Sequence, residues 1–233
     1  MASVKAISVF LLVLCAACGG NKLGPASEPA KESAPPAAAA APEKTAAPDN
    51  RPAIVVFGDS LSAGFGADPG QSFPDFLQKK LDRLGYRYRV VNQGISGDTT
   101  SGGTSRVGEA LAEKPDVVIL ELGGNDGLRG VPLANIRGNL DRMLTTFQKA
   151  GVRVLLAGIT LPPNYGPDYI KPFDSMYREL ASAHHVPLIP FLLQDVALKG
   201  NGLMQPDGIH PTAKGNEIVA QTVLKALEPL LKK

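Results

Sequence analysis

The chain has 233 residues, 44% hydrophobic and 20% charged, with a net charge of +2; that is enough for one domain with a full core. No basic block or aromatic-interleaved stripe runs along it, which argues against a protein that grips a nucleic-acid backbone. Cys15 and Cys18 both lie near the N-terminus and there are three histidines, so the body has no internal disulfide, and neither a metal nor a cofactor is expected.

Lys5 precedes an apolar run from Ile7 to Ala17. Spanning about 30 Å of hydrocarbon takes roughly 20 apolar residues, and this run is too short. Ala16-Ala17-Cys18-Gly19-Gly20 follows, with small residues ahead of a cysteine and a flexible start behind it. Residues 1–17 therefore read as a bacterial lipoprotein signal and Cys18 as the lipidated residue, although Cys15 stands where the usual lipobox has Leu. By resemblance to lipoprotein sorting signals, Gly19 in place of Asp directs the chain to the outer membrane. The expected location is the bacterial cell envelope, lipid-anchored and facing the periplasm. Residues 18–51 are Ala, Pro, Glu, Lys and Ser with almost no large apolar side chain. Such a segment cannot bury enough surface to offset its ordering entropy, and reads as a disordered tether reaching roughly 30 Å.

From residue 52 the pattern changes. Ile54–Phe57 is an unbroken apolar run, as in a strand covered on both faces. Phe73, Phe76, Leu77, Leu81 and Leu84 recur at helical spacing, with Gly85 as a stop. A second strand is expected over Tyr88–Val91, a helix around Val107, Ala110 and Leu111, and a third strand over Val117–Leu122. Leu133, Ile136, Leu140, Met143, Leu144 and Phe147 define the clearest helix, between Pro132 and Gly151. Val152–Ile159 reads as strand four, Phe173–Leu180 as a helix and Val186–Ile189 as strand five. After Pro211, a last helix turns Ile218, Val219, Val223, Leu227 and Leu230 inward. Five alternations predict an α/β fold over 52–233: a five-stranded parallel sheet of flavodoxin-like order with helices on both faces. Ligands then sit at the carboxyl ends of the strands.

The loops at that edge carry Gly58-Asp59-Ser60-Leu61-Ser62, Asn92-Gln93-Gly94, Gly123-Gly124-Asn125-Asp126 and Asp207-Gly208-Ile209-His210-Pro211. Each alone reads as an ordinary turn. Together they supply one chemistry. A serine hydroxyl is a poor nucleophile until a base takes its proton. His210 lies three residues from Asp207, so one turn of chain can present both; Asp207 would orient the imidazole toward Ser60. The Ser60 N–H, the Gly94 N–H and the Asn125 amide are candidate donors to an oxyanion.

These blocks resemble the GDSL, or SGNH, hydrolases, and within them the thioesterase I / lysophospholipase L1 / arylesterase branch. The likeness rests on Gly58–Gly64, Ile95–Thr99, Glu121–Gly130, Leu161–Gly166 and Asp207–Pro211 and extends over residues 53–231. It implies catalytic roles for Ser60, Asp207 and His210, and an oxyanion hole of Ser60, Gly94 and Asn125. It also implies a monomeric serine esterase acting through an acyl-enzyme on aryl or acyl esters, lysophospholipids or thioesters. Removal of acetyl groups from an envelope glycan would use the same machinery with a smaller pocket. A non-catalytic flavodoxin-like binding lipoprotein is the alternative from another class, against which the complete Ser–His–Asp set argues. His184-His185 reads as a helix cap, and Asp59, Asp98 and Asp126 as loop braces rather than a metal cluster. Leu128-Arg129 and Leu161–Gly166 are expected to line the acyl site.

Overall fold

Ile54, Val55, Val56 and Phe57 are all fully buried, as an apolar run must be when both faces of its strand are covered. They lie in β1 (Ala53–Gly58) of the computed structural model, which describes residues 49–197, 199–200 and 202–233. The expected signal peptide, Cys18 and the tether as far as residue 48 lie outside the described residues. Arg51, expected at the end of the tether, reaches Asp82 at 3.2 Å.

The chain continues through α1 (Ser60–Ala63), α2 (Phe73–Arg83), β2 (Arg89–Gly94) and α3 (Thr100–Ala112). Next come β3 (Pro115–Glu121), α4 (Gly124–Leu128), α5 (Leu133–Lys149) and β4 (Arg153–Ala157). It ends with α6 (Pro167–His184), β5 (Leu188–Ile189) and α7 (Ala213–Leu227). The strands are parallel in the order β2-β1-β3-β4-β5, the flavodoxin-like order expected. Alternate residues of a strand point to opposite faces, and β1 divides accordingly. Ile54 and Val56 pack with Leu77 and Leu81 of α2 and Val219 and Val223 of α7. Val55 and Phe57 pack with Val107 of α3, Leu140 and Phe147 of α5 and Tyr177 of α6. Among the described residues no helix is long and apolar enough to cross a membrane.

Several boundaries differ from the sequence expectation: α6 starts at Pro167 rather than Phe173, β4 spans Arg153–Ala157 and β5 only Leu188–Ile189, and three further differences have a plain physical reason. β2 runs on through polar Asn92 and Gln93 to Gly94, because backbone pairing with Val56, Phe57 and Gly58 needs no apolar side chain. α3 begins at Thr100, capped by the Thr99 side chain; its first turns are small residues where Gly103 lies against Leu122 and Met143. Leu84, expected on the buried face of α2, caps the helix and is half exposed. The short helices α1 and α4 were not foreseen, since four or five residues carry no periodicity.

Candidate active site

The carboxyl edge of the sheet is aligned by register. Gly58 pairs with Gly94 on one side and with Glu121 on the other, so three strands end level. Each then hands the chain to a loop or short helix.

Ser60 is the first residue of α1, where the backbone N–H has no partner within the helix. Asp59 caps that helix, its Oδ1 accepting from the Leu61 N–H at 3.0 Å. Its other oxygen accepts from Asn125 Nδ2, also at 3.0 Å. Asp59 thus joins the turn that carries Ser60 to the start of α4. Because an amide nitrogen carries two hydrogens, fixing one in this way also fixes where the other points.

His210 approaches from the far end of the chain. A bridge between Met204 and Pro211, with the Gln205 N–H on the His210 carbonyl at 2.8 Å, closes a tight loop. Within it Asp207 Oδ1 accepts from the Ile209 and His210 amides at 2.9 and 3.0 Å. Asp207 Oδ2 lies 2.6 Å from His210 Nδ1, and His210 Nε2 lies 2.9 Å from Ser60 Oγ. Partial burial pushes the Asp207 pKa up, but the bonds from the His210 ring and the two amides outweigh it and hold it at about 2. The carboxylate is therefore ionised across any working pH. The Phe65 ring, half exposed, lies over the imidazole with centroids 4.6 Å apart.

Gly94 faces α1 so closely that a Cβ would stand 2.2 Å from the Ala63 nitrogen; only glycine fits. Its own N–H donates to Asn92 Oδ1 at 2.9 Å, a bond that an oxyanion would have to share. Asn92 Nδ2 donates to the Ser62 carbonyl at 2.8 Å. The structure thus brings together Ser60, Asp207 and His210, and brings Asn125 and Gly94 onto the same turn.

Other residues brace the edge. Arg106, almost fully buried, donates to Asp98 Oδ2, to the Gln93 carbonyl and to the Gly58 carbonyl at 2.7–2.9 Å, and lies over the Phe57 ring. Asp126 accepts from the Thr100 amide and hydroxyl. Asp59, Asp98 and Asp126 thus each hold a loop through protein partners. His184 ends α6 and bonds Asp141 and Gln148, and His185 is the cap. The Tyr165 hydroxyl donates to the Leu128 carbonyl at 2.8 Å, tying together the two loops expected to line the acyl site. Sequence reasoning did not single out Glu121, Arg106, Asn92, Gln205 or Phe65. For Glu121 a signal existed: a carboxylate that directly follows the buried apolar run Val117–Leu120 needs partners.

A serine, an imidazole and a carboxylate in hydrogen-bonded sequence on the loop edge of a parallel sheet define a hydrolase of the serine class. Residues 56–218 match the GDSL-like Lipase/Acylhydrolase family, and the chain belongs to it. The esterase TesA of Pseudomonas aeruginosa is 47% identical over 179 residues, covering 76% of this chain and 89% of that protein. A solved structure of TesA superposes with a TM-score of 0.74 over 77% of this chain and 99% of its own. The arylesterase of Vibrio mimicus is 40% identical, covering 75% and 89%. Thioesterase 1/protease 1/lysophospholipase L1 of Escherichia coli K12 is 38% identical, covering 76% and 84%. The chain is an enzyme, a serine ester hydrolase.

Proposed function

We propose that Ser60 is the nucleophile, His210 the general base and Asp207 the group that orients the imidazole. The observation that carries this is the unbroken relay, 2.9 Å from Ser60 Oγ to His210 Nε2 and 2.6 Å from Nδ1 to Asp207. Ser60 Oγ attacks the ester carbonyl carbon while its proton passes to His210 Nε2. The carbonyl π electrons move to oxygen, and the Ser60 N–H, Gly94 N–H and Asn125 Nδ2–H stabilise that charge. Collapse expels the alcohol, which takes the proton from Nε2, and leaves an acyl group on Ser60. Water then attacks by the same route, releasing the acid and restoring the hydroxyl.

The substrates we propose are acyl and aryl esters, lysophospholipids and thioesters. Phe65, Ile95 and Ile209 support an apolar acyl or aryl group, since they stay 51%, 49% and 40% exposed beside His210 and Gly94. Large apolar side chains left in water at a site are a recognition surface more often than an accident. Short-chain to palmitoyl esters should be hydrolysed by the wild type and not by Ser60→Ala; near-wild-type turnover by that variant excludes Ser60 as nucleophile.

The enzyme is proposed to act as a monomer anchored through a lipid on Cys18 to the bacterial outer membrane, facing the periplasm. The short apolar run ending in Ala16-Ala17-Cys18 supports the lipid anchor. Labelled fatty acid should enter the wild type and not Cys18→Ser; equal labelling rules out Cys18 as the site.

A further inference from the structure

Glu121, the last residue of β3, has no part in the relay just described, yet it is fully buried beneath it. Its Oε2 accepts from the Ser62 hydroxyl at 2.7 Å and from the Asp59 N–H at 3.2 Å. One oxygen therefore grips the turn on both sides of Ser60. The fit is close: a Cβ on Gly58 would stand 2.4 Å from this oxygen and 2.1 Å from Ser62 Oγ.

We propose that Glu121 is a positioning residue for ester hydrolysis, its single buried oxygen setting the Ser60 turn and, through two neighbours, the other oxyanion donors. Each branch is on the structure. Through Asp59 it reaches Asn125, whose amide donates to Asp59 Oδ2. Through Ser62 it reaches Gly94, because the Ser62 carbonyl holds Asn92 Nδ2 while Asn92 Oδ1 holds the Gly94 N–H. Ser60 lies between the two points of grip. All three groups meant for the oxyanion thus hang from one carboxyl.

The chemistry of the carboxyl agrees with a local structural duty. Among the described residues, its second oxygen, Oε1, is buried without a hydrogen-bond partner. A carboxylate in such a place is costly, so burial, with the nearby Asp59 charge added, pushes its pKa well above the ordinary range. The uncharged acid loses nothing needed here, because what the turn requires is an acceptor. An apolar residue would remove the burial cost of the carboxyl but would leave the Ser62 hydroxyl and the Asp59 N–H unpaired and release the turn.

The inference rests on Ser60 being the nucleophile, and the test separates the two. Glu121→Leu leaves the buried Ser62 hydroxyl and Asp59 N–H without this acceptor and should lower the melting temperature, while kcat falls about tenfold or more and KM stays within about twofold, as for loss of transition-state alignment. Glu121→Gln keeps an acceptor oxygen and should restore kcat to within about threefold of wild type. If Glu121→Leu does not fold, Ser62→Ala withdraws one bond from the same oxygen and should lower kcat roughly threefold to tenfold with KM unchanged. With Ser60→Ala inactive, a folded Glu121→Leu enzyme at wild-type kcat overturns the proposal. So does a Glu121→Gln enzyme as impaired as Glu121→Leu, or an unaffected Ser62→Ala in the fallback arm. Turnover by Ser60→Ala would instead sink the nucleophile assignment.

Discussion

Gln205 donates through Nε2 to the Phe65 carbonyl at 2.7 Å, joining segments 140 positions apart in the sequence. The same nitrogen donates to the Pro211 carbonyl at 2.9 Å. Phe65 follows α1 and Pro211 follows His210, so one side-chain amide fastens the segment that carries Ser60 to the loop that carries His210. The Ser60–His210 bond depends on both loops keeping their separation.

Gln205→Leu should therefore impair catalysis more than binding. A misplacement of about 1 Å between reacting groups costs on the order of 10²-fold in rate; a partial slip should cost about tenfold to a hundredfold in kcat. KM should change little. Labelling of Ser60 by a phosphonate probe should slow in parallel, since it needs the same deprotonation. Unchanged labelling and kcat would show that the loops hold without the amide.

The parts of this site legible in the sequence are those encoded within a few residues. Asp207 and His210 lie one turn apart, and Ser60 lies three residues past the apolar run ending at Phe57, so local spacing, taken with the family resemblance of the blocks, marks them as candidates. The strands were legible because a sheet covered on both faces demands unbroken apolar runs, as in Ile54–Phe57. What escaped is held by pairing between distant segments. Asp59 and Glu121 are 62 positions apart, and Gly58 meets Arg106 across 48. No periodicity reports such contacts. The end of β2 escaped for a related reason, since Asn92-Gln93-Gly94 is strand by its backbone pairing with β1 alone.

Asp59 gives stability a pH dependence of definite sign. Burial pushes its pKa from 3.8 up to about 6, against the opposing bonds from Leu61 and Asn125. A carboxyl whose folded value lies above its unfolded value holds its proton more tightly when folded. It stabilises fully below about 3.8, and that contribution is lost as pH rises through about 6. The loss should be roughly 2–3 kcal/mol. In Asp59→Asn this titration is gone, although a pH-independent penalty arises where two amide nitrogens would face each other. Urea midpoints at pH 4, 6 and 8 should show the wild type losing ground relative to Asp59→Asn. Parallel curves would mean that Asp59 titrates normally.

Gly94→Ala tests how tightly α1 is seated. The added methyl would stand 2.2 Å from the Ala63 nitrogen and 2.7 Å from the Ser62 carbonyl carbon, both backbone atoms of the helix that begins with Ser60. The helix must move. Such overpacking costs about 1–3 kcal/mol, and here the displaced element carries Ser60, the proposed nucleophile. Melting temperature and kcat should fall together, whereas an alanine variant unchanged in both would mean that α1 yields freely.

Asn125 offers the sharpest separation of a structural from a catalytic role, because its amide has two hydrogens with different partners. One is held by Asp59 Oδ2 at 3.0 Å; the other is proposed to meet the oxyanion. The first bond exists in the resting enzyme and contributes to stability by about 1 kcal/mol. The second strengthens only as charge develops on the substrate, so its loss lowers kcat more than it raises KM. Removing one oxyanion donor typically costs about 10²–10³ in kcat. Asn125→Ala should show both effects, a small drop in melting temperature and a large drop in kcat. Asn125→Asp separates them further, since a carboxylate would repel both Asp59 and the developing oxyanion, and its kcat should fall at least as far. Measured with a short-chain aryl ester whose chemistry limits turnover, a folded Asn125→Ala enzyme within about threefold of wild-type kcat removes Asn125 from the oxyanion hole, since one lost donor should cost far more.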